Sequence, residues 1–171
     1  TLKALAADTS FSIAFYGDPA PIGAQLAQHD HDAQRVEIIP CSQNIGMGES
    51  PAAAIRGKPD SPIVRAMVDQ KAGRVQAVVS AGSTGAMVAT SLVILGRLAS
   101  VDRPAIGAVV PTIGGEMLLL DAGANVQCSA EHLVCFARMG ELYAREMLEV
   151  DSPTVALLNI GEEQKKGTEL A

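Results

Sequence analysis

The chain has 171 residues, 48% hydrophobic and 19% charged, the size of one ordinary domain that buries roughly 70% of its unfolded surface. This composition excludes a disordered or collagen-like chain. Thirteen Lys and Arg against nineteen Asp and Glu give a net charge of −6, and only 3% of residues are aromatic, with no Trp. Nucleic acid, which calls for a basic face and stacking rings, is not an expected partner. Cys41, Cys128 and Cys135 form no CxxC pair, so they read as small buried apolar residues in a reducing cytosol. The longest apolar run, Ala86 to Leu95, is half of the roughly 20 residues a membrane span needs, and no secretory signal reads from the first residues.

In chain order, short runs rich in Val, Ile and Leu alternate with helical patterns. A strand is predicted over Ser12 to Tyr16, a helix over Pro21 to Gln28, and a strand over Arg35 to Ile39. A helix over Ser61 to Ala72 precedes a strand over Val75 to Ser80 and a helix over Thr84 to Leu98. Strands follow over Ala105 to Val110 and Met117 to Asp121. Pro111-Thr112-Ile113-Gly114-Gly115 leaves no room for a helix between them, so this pair reads as an antiparallel hairpin. The clearest helix runs from Ser129 to Val150. Ser129 can cap it, Leu133, Phe136, Met139, Gly140, Tyr143 and Met147 recur at three and four, and Glu141 with Arg145 is an i,i+4 pair. A last strand spans Thr154 to Ile160, and a helix begins at Lys166. Nearly continuous apolar strands suit a parallel sheet covered on both faces, so the pattern predicts a doubly wound α/β fold.

In such a sheet, ligands collect beyond the carboxyl ends of the strands. Three junctions there are informative. Ser80-Ala81-Gly82-Ser83-Thr84-Gly85-Ala86 runs from a strand into a helix through small residues whose backbone N–H groups favour an anion such as phosphate, or simply allow close packing. It is neither a Walker A loop nor a dinucleotide fingerprint. At Leu119-Leu120-Asp121-Ala122-Gly123-Ala124-Asn125, Asp121 either orients a donor or caps the next turn. At Asn159-Ile160-Gly161-Glu162-Glu163-Gln164-Lys165-Lys166-Gly167-Thr168-Glu169, two acids precede two lysines. This is a solvated loop or, together with the other two junctions, part of an anion site in which a lysine offsets phosphate charge. His29-Asp30-His31-Asp32 has no distant third ligand and reads as a solvated loop, so no metal site is expected. His132 reads as core or surface. Cys128 could have its pKa lowered by the following helix and act as an acyl-accepting nucleophile. Arg56, Lys58, Arg65, Lys71 and Arg74 form either a basic patch or a solvated helix face.

At these junctions the sequence resembles the bacterial phosphate acyltransferases of phospholipid synthesis, the PlsX type. The resemblance rests on Ser80 to Ala86, Leu119 to Val126 with Cys128 and Glu131-His132-Leu133, and Leu157 to Glu163 with Lys166 to Leu170. Ile45-Gly46-Met47 with Pro51, Lys58 with Asp60-Ser61, and Asp102 to Ile106 extend it along essentially the whole chain. The chain departs from the family pattern at Gly48, Ser83, Gln127 and Thr168. The resemblance implies transfer of a long-chain acyl group from acyl carrier protein to inorganic phosphate, giving acyl phosphate for glycerol-3-phosphate acylation, without a cofactor. It implies a three-layer α/β/α fold, similar to phosphotransacetylases and the isocitrate and isopropylmalate dehydrogenases, with a hairpin insertion in a mostly parallel sheet. A homodimer is implied, cytoplasmic and in peripheral contact with the inner face of the membrane. On this reading Ser80, Gly82, Ser83, Thr84, Gly85, Gly123, Gly161 and Gly167 bind phosphate. Lys166 and Asn125 are catalytic, and Asp121, Glu162 and Glu163 orient them. Two other readings stay open: a non-catalytic scaffold binding the carrier protein or membrane, and a nicotinamide-dependent 2-hydroxy-acid dehydrogenase.

The chain begins Thr1-Leu2-Lys3 without Met and stops where a helix is starting. Since the family chain is about twice as long, residues 1–171 are expected to be a single α/β acyltransferase domain, incomplete at both ends.

Overall fold

A computed structural model describes residues 1–123, 125 and 127–158 of the chain. These residues are α/β in organisation and fall into two compact units, Thr1–Gly96 and Arg97–Ala171.

The first unit opens with α1 (Leu2–Ala7), β1 (Ile13–Gly17), α2 (Pro19–Leu26), a 3-10 turn (Ala33–Arg35) and β2 (Val36–Pro40). Asp18 starts α2 by accepting from the Ala20 amide at 3.0 Å, with Pro19 at the first helical position, where its missing N–H costs nothing. The crossover lets β1 and β2 pair in parallel, from Ile13 opposite Val36 to Gly17 opposite Pro40. Arg35 donates to the carbonyl oxygens of Leu5 (2.9 Å), Asp8 (2.6 Å) and Phe11 (2.6 Å), tying α1 and the segment after it to the sheet. The rest of this unit is helical: α3 (Pro51–Gly57), α4 (Pro62–Lys71) and α5 (Thr84–Ile94). Ile45, Ile55, Val64 and Ala86 form its core, with Ile63, Ala89 and Ile94 packed against them. Each of the buried side chains Ile45, Ile55 and Val64 contributes about 1.5–3 kcal/mol. Tyr16 on β1 donates to Asp69 on α4 at 2.7 Å, and Arg74 pairs with the same carboxylate. The shared proton acceptor and burial push the Tyr16 hydroxyl up to about 12.

The second unit contains β3 (Gly107–Thr112), β4 (Gly115–Leu120) and α6 (Ala130–Met147). The strands form the expected antiparallel hairpin, closed by the two residues Ile113 and Gly114. Pro111 is tolerated because in a two-stranded ribbon every strand is an edge. Ser129 caps α6 through its hydroxyl, and His132 returns the favour by accepting from the Ser129 amide at 3.1 Å. α6 lies on β4, with Gly140 at the contact: a Cβ there would stand 2.7 Å from Leu120 Cδ1. Glu141 and Arg145 pair at 2.8 Å.

Three expectations need correction. Residues 75–80 are irregular rather than a strand, and Val79 is 97% exposed. A strand exists through its ladder, and among the described residues β1 and β2 pair only with each other. For the same reason residues 154–158 form no strand, while 159 and 160 and the helix expected from Lys166 lie outside the described residues. The helix from Thr84 stops at Ile94, short of Leu98. Gly96, at φ +87°, donates back to the Ser91 carbonyl and turns the chain away. The short helices α1 and α3 lack the length over which a periodicity can be read, and the sequence pattern did not reveal them. No helix among the described residues is long and apolar enough to cross a membrane.

Candidate functional site

The segment Ser80–Gly85 enters α5 with its donors turned to different uses. Ser80 Oγ accepts from the Gly82 amide at 3.1 Å, which folds the approach to the helix into a tight turn. Ser83 is the cap: it is 8% exposed, and its Oγ accepts from the Ala86 amide at 3.3 Å. Thr84 and Gly85 are exposed, and their amides lead the helix, where no intrahelical acceptor exists. Gly85 lets this turn approach the start of α3, since a Cβ there would stand 3.2 Å from Pro51 Cγ. The expected anion-binding residues Ser80, Gly82, Ser83, Thr84 and Gly85 therefore share one turn, which offers exposed N–H groups at the positive end of a helix.

The loop after β4 is built around Asp121, which takes the left-handed conformation at φ +62°. Its Oδ1 accepts from both the backbone amide (3.1 Å) and the side-chain Nδ2 (3.0 Å) of Asn125. Asn125 Nδ2 also donates to the Pro104 carbonyl at 3.0 Å. Asp121 thus orients a donor and fixes the turn at once, the two roles its sequence position left open. The amide of Gly123, at φ +103°, is spent on the Asp121 carbonyl at 2.7 Å. Arg103 donates to the Gln127 carbonyl at 3.2 Å and holds the far end of the loop.

Cys128 Sγ lies 3.7 Å from Asp121 Oδ2. Burial pushes this thiol up, and the neighbouring carboxylate adds to the effect. Both effects favour the neutral thiol, which speaks against the alternative of Cys128 as an activated nucleophile and for a partly buried, unreactive side chain. His132 serves as the reciprocal cap of α6 and stacks on Phe136. His29, Asp30 and Asp32 form an exposed turn, in which His31 Nδ1 contacts the His29 carbonyl at 2.8 Å.

The basic cluster of the first unit is largely neutralised. Lys58 pairs with Glu49 at 2.6 Å, Arg65 with Asp60 at 2.6 Å, and Arg74 with Asp69. Bonds from the Ser42 hydroxyl and amide, with Arg65 beside them, hold the Asp60 carboxyl down at about 2. Glu49 also accepts from the Gly46 amide at 2.6 Å, so the Glu49 and Lys58 pair staples the 45–50 loop. Sequence reasoning missed this staple, whose two charges flank the short helix α3, itself not legible in the sequence. The third junction, with Gly161, Glu162, Glu163, Lys166 and Gly167, lies outside the described residues.

The described residues thus combine an α/β organisation with two glycine-bearing loops that lead into capped helices. A family model described as fatty acid synthesis protein matches residues 1–171, and the chain belongs to that family. Among curated relatives, the phosphate acyltransferase of Heliobacterium modesticaldum is 47% identical over 166 residues, covering 96% of this chain and 50% of the relative. Those of Desulforamulus reducens and Thermosynechococcus vestitus are 49% identical over 158 residues and 47% over 161, covering 92% and 93% of this chain and 47% and 46% of each relative. The chain spans about half the length of the curated relatives it matches.

Proposed function

We propose that the protein is a phosphate acyltransferase, moving a long-chain acyl group from acyl carrier protein to inorganic phosphate to supply acyl phosphate for glycerol-3-phosphate acylation. The observation that carries this reading is the match to phosphate acyltransferases, which runs through 96% of the chain at 47% identity. The fold proposed with it is one three-layer, doubly wound α/β/α domain to which both units belong. The enzyme is proposed to be a cytoplasmic homodimer in peripheral contact with the membrane, and to use no cofactor.

In this reaction a phosphate oxygen bonds to the acyl carbon and the carbon–sulfur bond breaks. The proton of hydrogen phosphate ends on the departing carrier thiol, so atoms and charge balance. Phosphate is already nucleophilic at neutral pH, so the protein has to hold it near the thioester, screen its charge and stabilise the developing oxyanion. Ser80, Gly82, Ser83, Thr84 and Gly85 are the proposed cradle, supported by the exposed amides of Thr84 and Gly85. Gly123, Gly161 and Gly167 are assigned to the same ligand by position. Lys166 is the proposed counter-charge, oriented by Glu162 or Glu163. Asn125, held by Asp121, is the proposed contact from the second loop. The carrier protein, itself acidic, has Arg56 and Lys71 as the cations of the α3–α4 region that make no ion pair among the described residues.

Trapping acyl phosphate with hydroxylamine, from palmitoyl carrier protein and phosphate, tests this reading. Product is expected, and Lys166→Ala is expected to lower its formation by orders of magnitude with the fold intact. Carrier binding without product would favour a scaffold, and near-normal turnover in the variant would remove Lys166 from the chemistry.

A further inference from the structure

The amide of Asn125 is committed. Its nitrogen carries two hydrogens, and they go to the Pro104 carbonyl and to Asp121 Oδ1, each at 3.0 Å. Both partners are oxygens that only accept here, so the nitrogen end of the carboxamide must face them and a flipped amide would set oxygen against oxygen at both contacts. The backbone amide of Asn125 is taken by Asp121 as well, at 3.1 Å. What this half-buried side chain has left is Oδ1, to which no described residue donates. At this position the loop presents an acceptor, where an oxyanion would want a donor.

We propose that Asn125 meets phosphate through Oδ1, accepting a hydrogen bond from the P–OH of hydrogen phosphate, and that Asp121 is the positioning residue that makes it do so. The inference rests on the reading of this loop as a phosphate contact and specifies the ligand further: an oxyanion that carries a proton. Hydrogen phosphate keeps one P–OH at neutral pH. Sulfate has the same shape and charge but no proton, so its oxygen would face Oδ1 with two lone pairs opposed and no bond between them. A site built around one obligatory hydrogen bond rejects the analogue that lacks it more strongly than size or charge could. The arrangement also suits the reaction, because the proton-bearing oxygen is held aside while an unprotonated one is free to attack.

Titration calorimetry of the protein at pH 7.5, with inorganic phosphate and with sulfate in separate experiments, tests the proposal. Phosphate is expected to bind on the order of 100-fold more tightly than sulfate. Asn125→Ala should bring the two affinities together, by weakening phosphate and by relieving the opposed lone pairs toward sulfate. Asp121→Ala, which removes one of the two acceptors that hold the Asn125 amide, should narrow the gap between phosphate and sulfate. Equal binding of the two anions by the unmodified protein overturns the acceptor assignment and leaves the acyltransferase reading standing. Phosphate selectivity that survives in Asn125→Ala overturns it too. No phosphate binding at all removes both the assignment and the phosphate site it rests on. The comparison within the unmodified protein needs no variant, so a variant that fails to fold does not protect the idea.

Discussion

Two loops of this chain share a sequence signature, small residues and glycine between an apolar run and a helix, yet they spend their donors in opposite ways. In Ser80–Gly85 the side-chain oxygens of Ser80 and Ser83 serve the turn, and Thr84 and Gly85 are exposed residues whose amides have no intrahelical acceptor. In the loop after β4, the amides of Gly123, Asn125 and Ser129 and the side-chain nitrogen of Asn125 are all consumed by nearby acceptors. The first loop gains its character from what it leaves unbonded at a helix end; the second gains rigidity from a carboxylate at its centre. Glycine and small residues therefore say where a chain turns tightly, but not which sign of hydrogen bond it offers there.

The contrast breaks most directly at Asp121. Asp121→Ala removes the acceptor for two N–H groups of Asn125 and for the Cys128 thiol, and it places a Cβ residue that dislikes φ +62° in that conformation. The expected loss is about 2–3 kcal/mol in urea unfolding. Asp121→Asn keeps a residue that tolerates this conformation and removes the charge, so the pH at which Cys128 begins to react with iodoacetamide should fall. Unchanged stability in the first variant, with an unchanged alkylation profile in the second, would mean that Asp121 does not organise the loop.

Ser83→Ala acts on the other loop and should do less. It deletes one cap bond to the Ala86 amide, an effect of about 1 kcal/mol on unfolding. Because the second loop does not depend on it, the Cys128 alkylation profile should stay where it is; a shift there would show that the two loops are not independent.

The difference between the loops also marks how far the sequence could be read. Ser129 as a cap, the i,i+4 pair of Glu141 with Arg145, the hairpin around Ile113-Gly114, and the parallel pairing of the first two strands were all legible, because each depends on residues close in sequence or on strong local preference. The commitment of Asn125 was not, because half of it depends on a carbonyl at Pro104, 21 residues away. Val75–Ser80 has strand composition, but a ladder partner is a non-local fact. The setting of Cys128 was hidden for a related reason: the helix that follows it was visible, whereas the carboxylate that folds back against it was not.

Just beyond the first loop, Thr90 on α5 is fully buried and its Oγ1 has no hydrogen-bond partner among the described residues. A helical threonine can return its hydroxyl to the carbonyl four residues back, and here it does not. Thr90→Val keeps the shape and removes the unsatisfied group, and should stabilise the protein by about 0.5–1 kcal/mol. A loss of stability would mean that the hydroxyl has a partner, such as water, that the valine cannot replace.

The smallest expected effect is acidic, and it separates the two units rather than the two loops. Glu49, Asp60 and Asp69 in the first unit each accept hydrogen bonds from nearby groups, which hold their carboxyls below the ordinary range, Asp60 at about 2. A carboxylate whose folded pKa is depressed contributes stability that is complete above its unfolded pKa and disappears as pH falls through the folded one. The window therefore runs from the ordinary carboxylate range near pH 4 down toward pH 2. In the second unit only Glu131 among the described residues shows a resolved depression, from its bond with Ser129. Amide exchange followed at stepwise lower pH should show the first unit losing protection before the second. The difference will be modest, because the pairs at Glu49 and Asp60 are only half-buried and are partly screened by solvent. If added salt at pH 7 removed as much protection as acid does, ion pairing would account for the effect. If salt left it intact, the hydrogen bonds from Ser42, Gly46 and Tyr16 carry it, which is the outcome expected from bonds that acid breaks and screening does not.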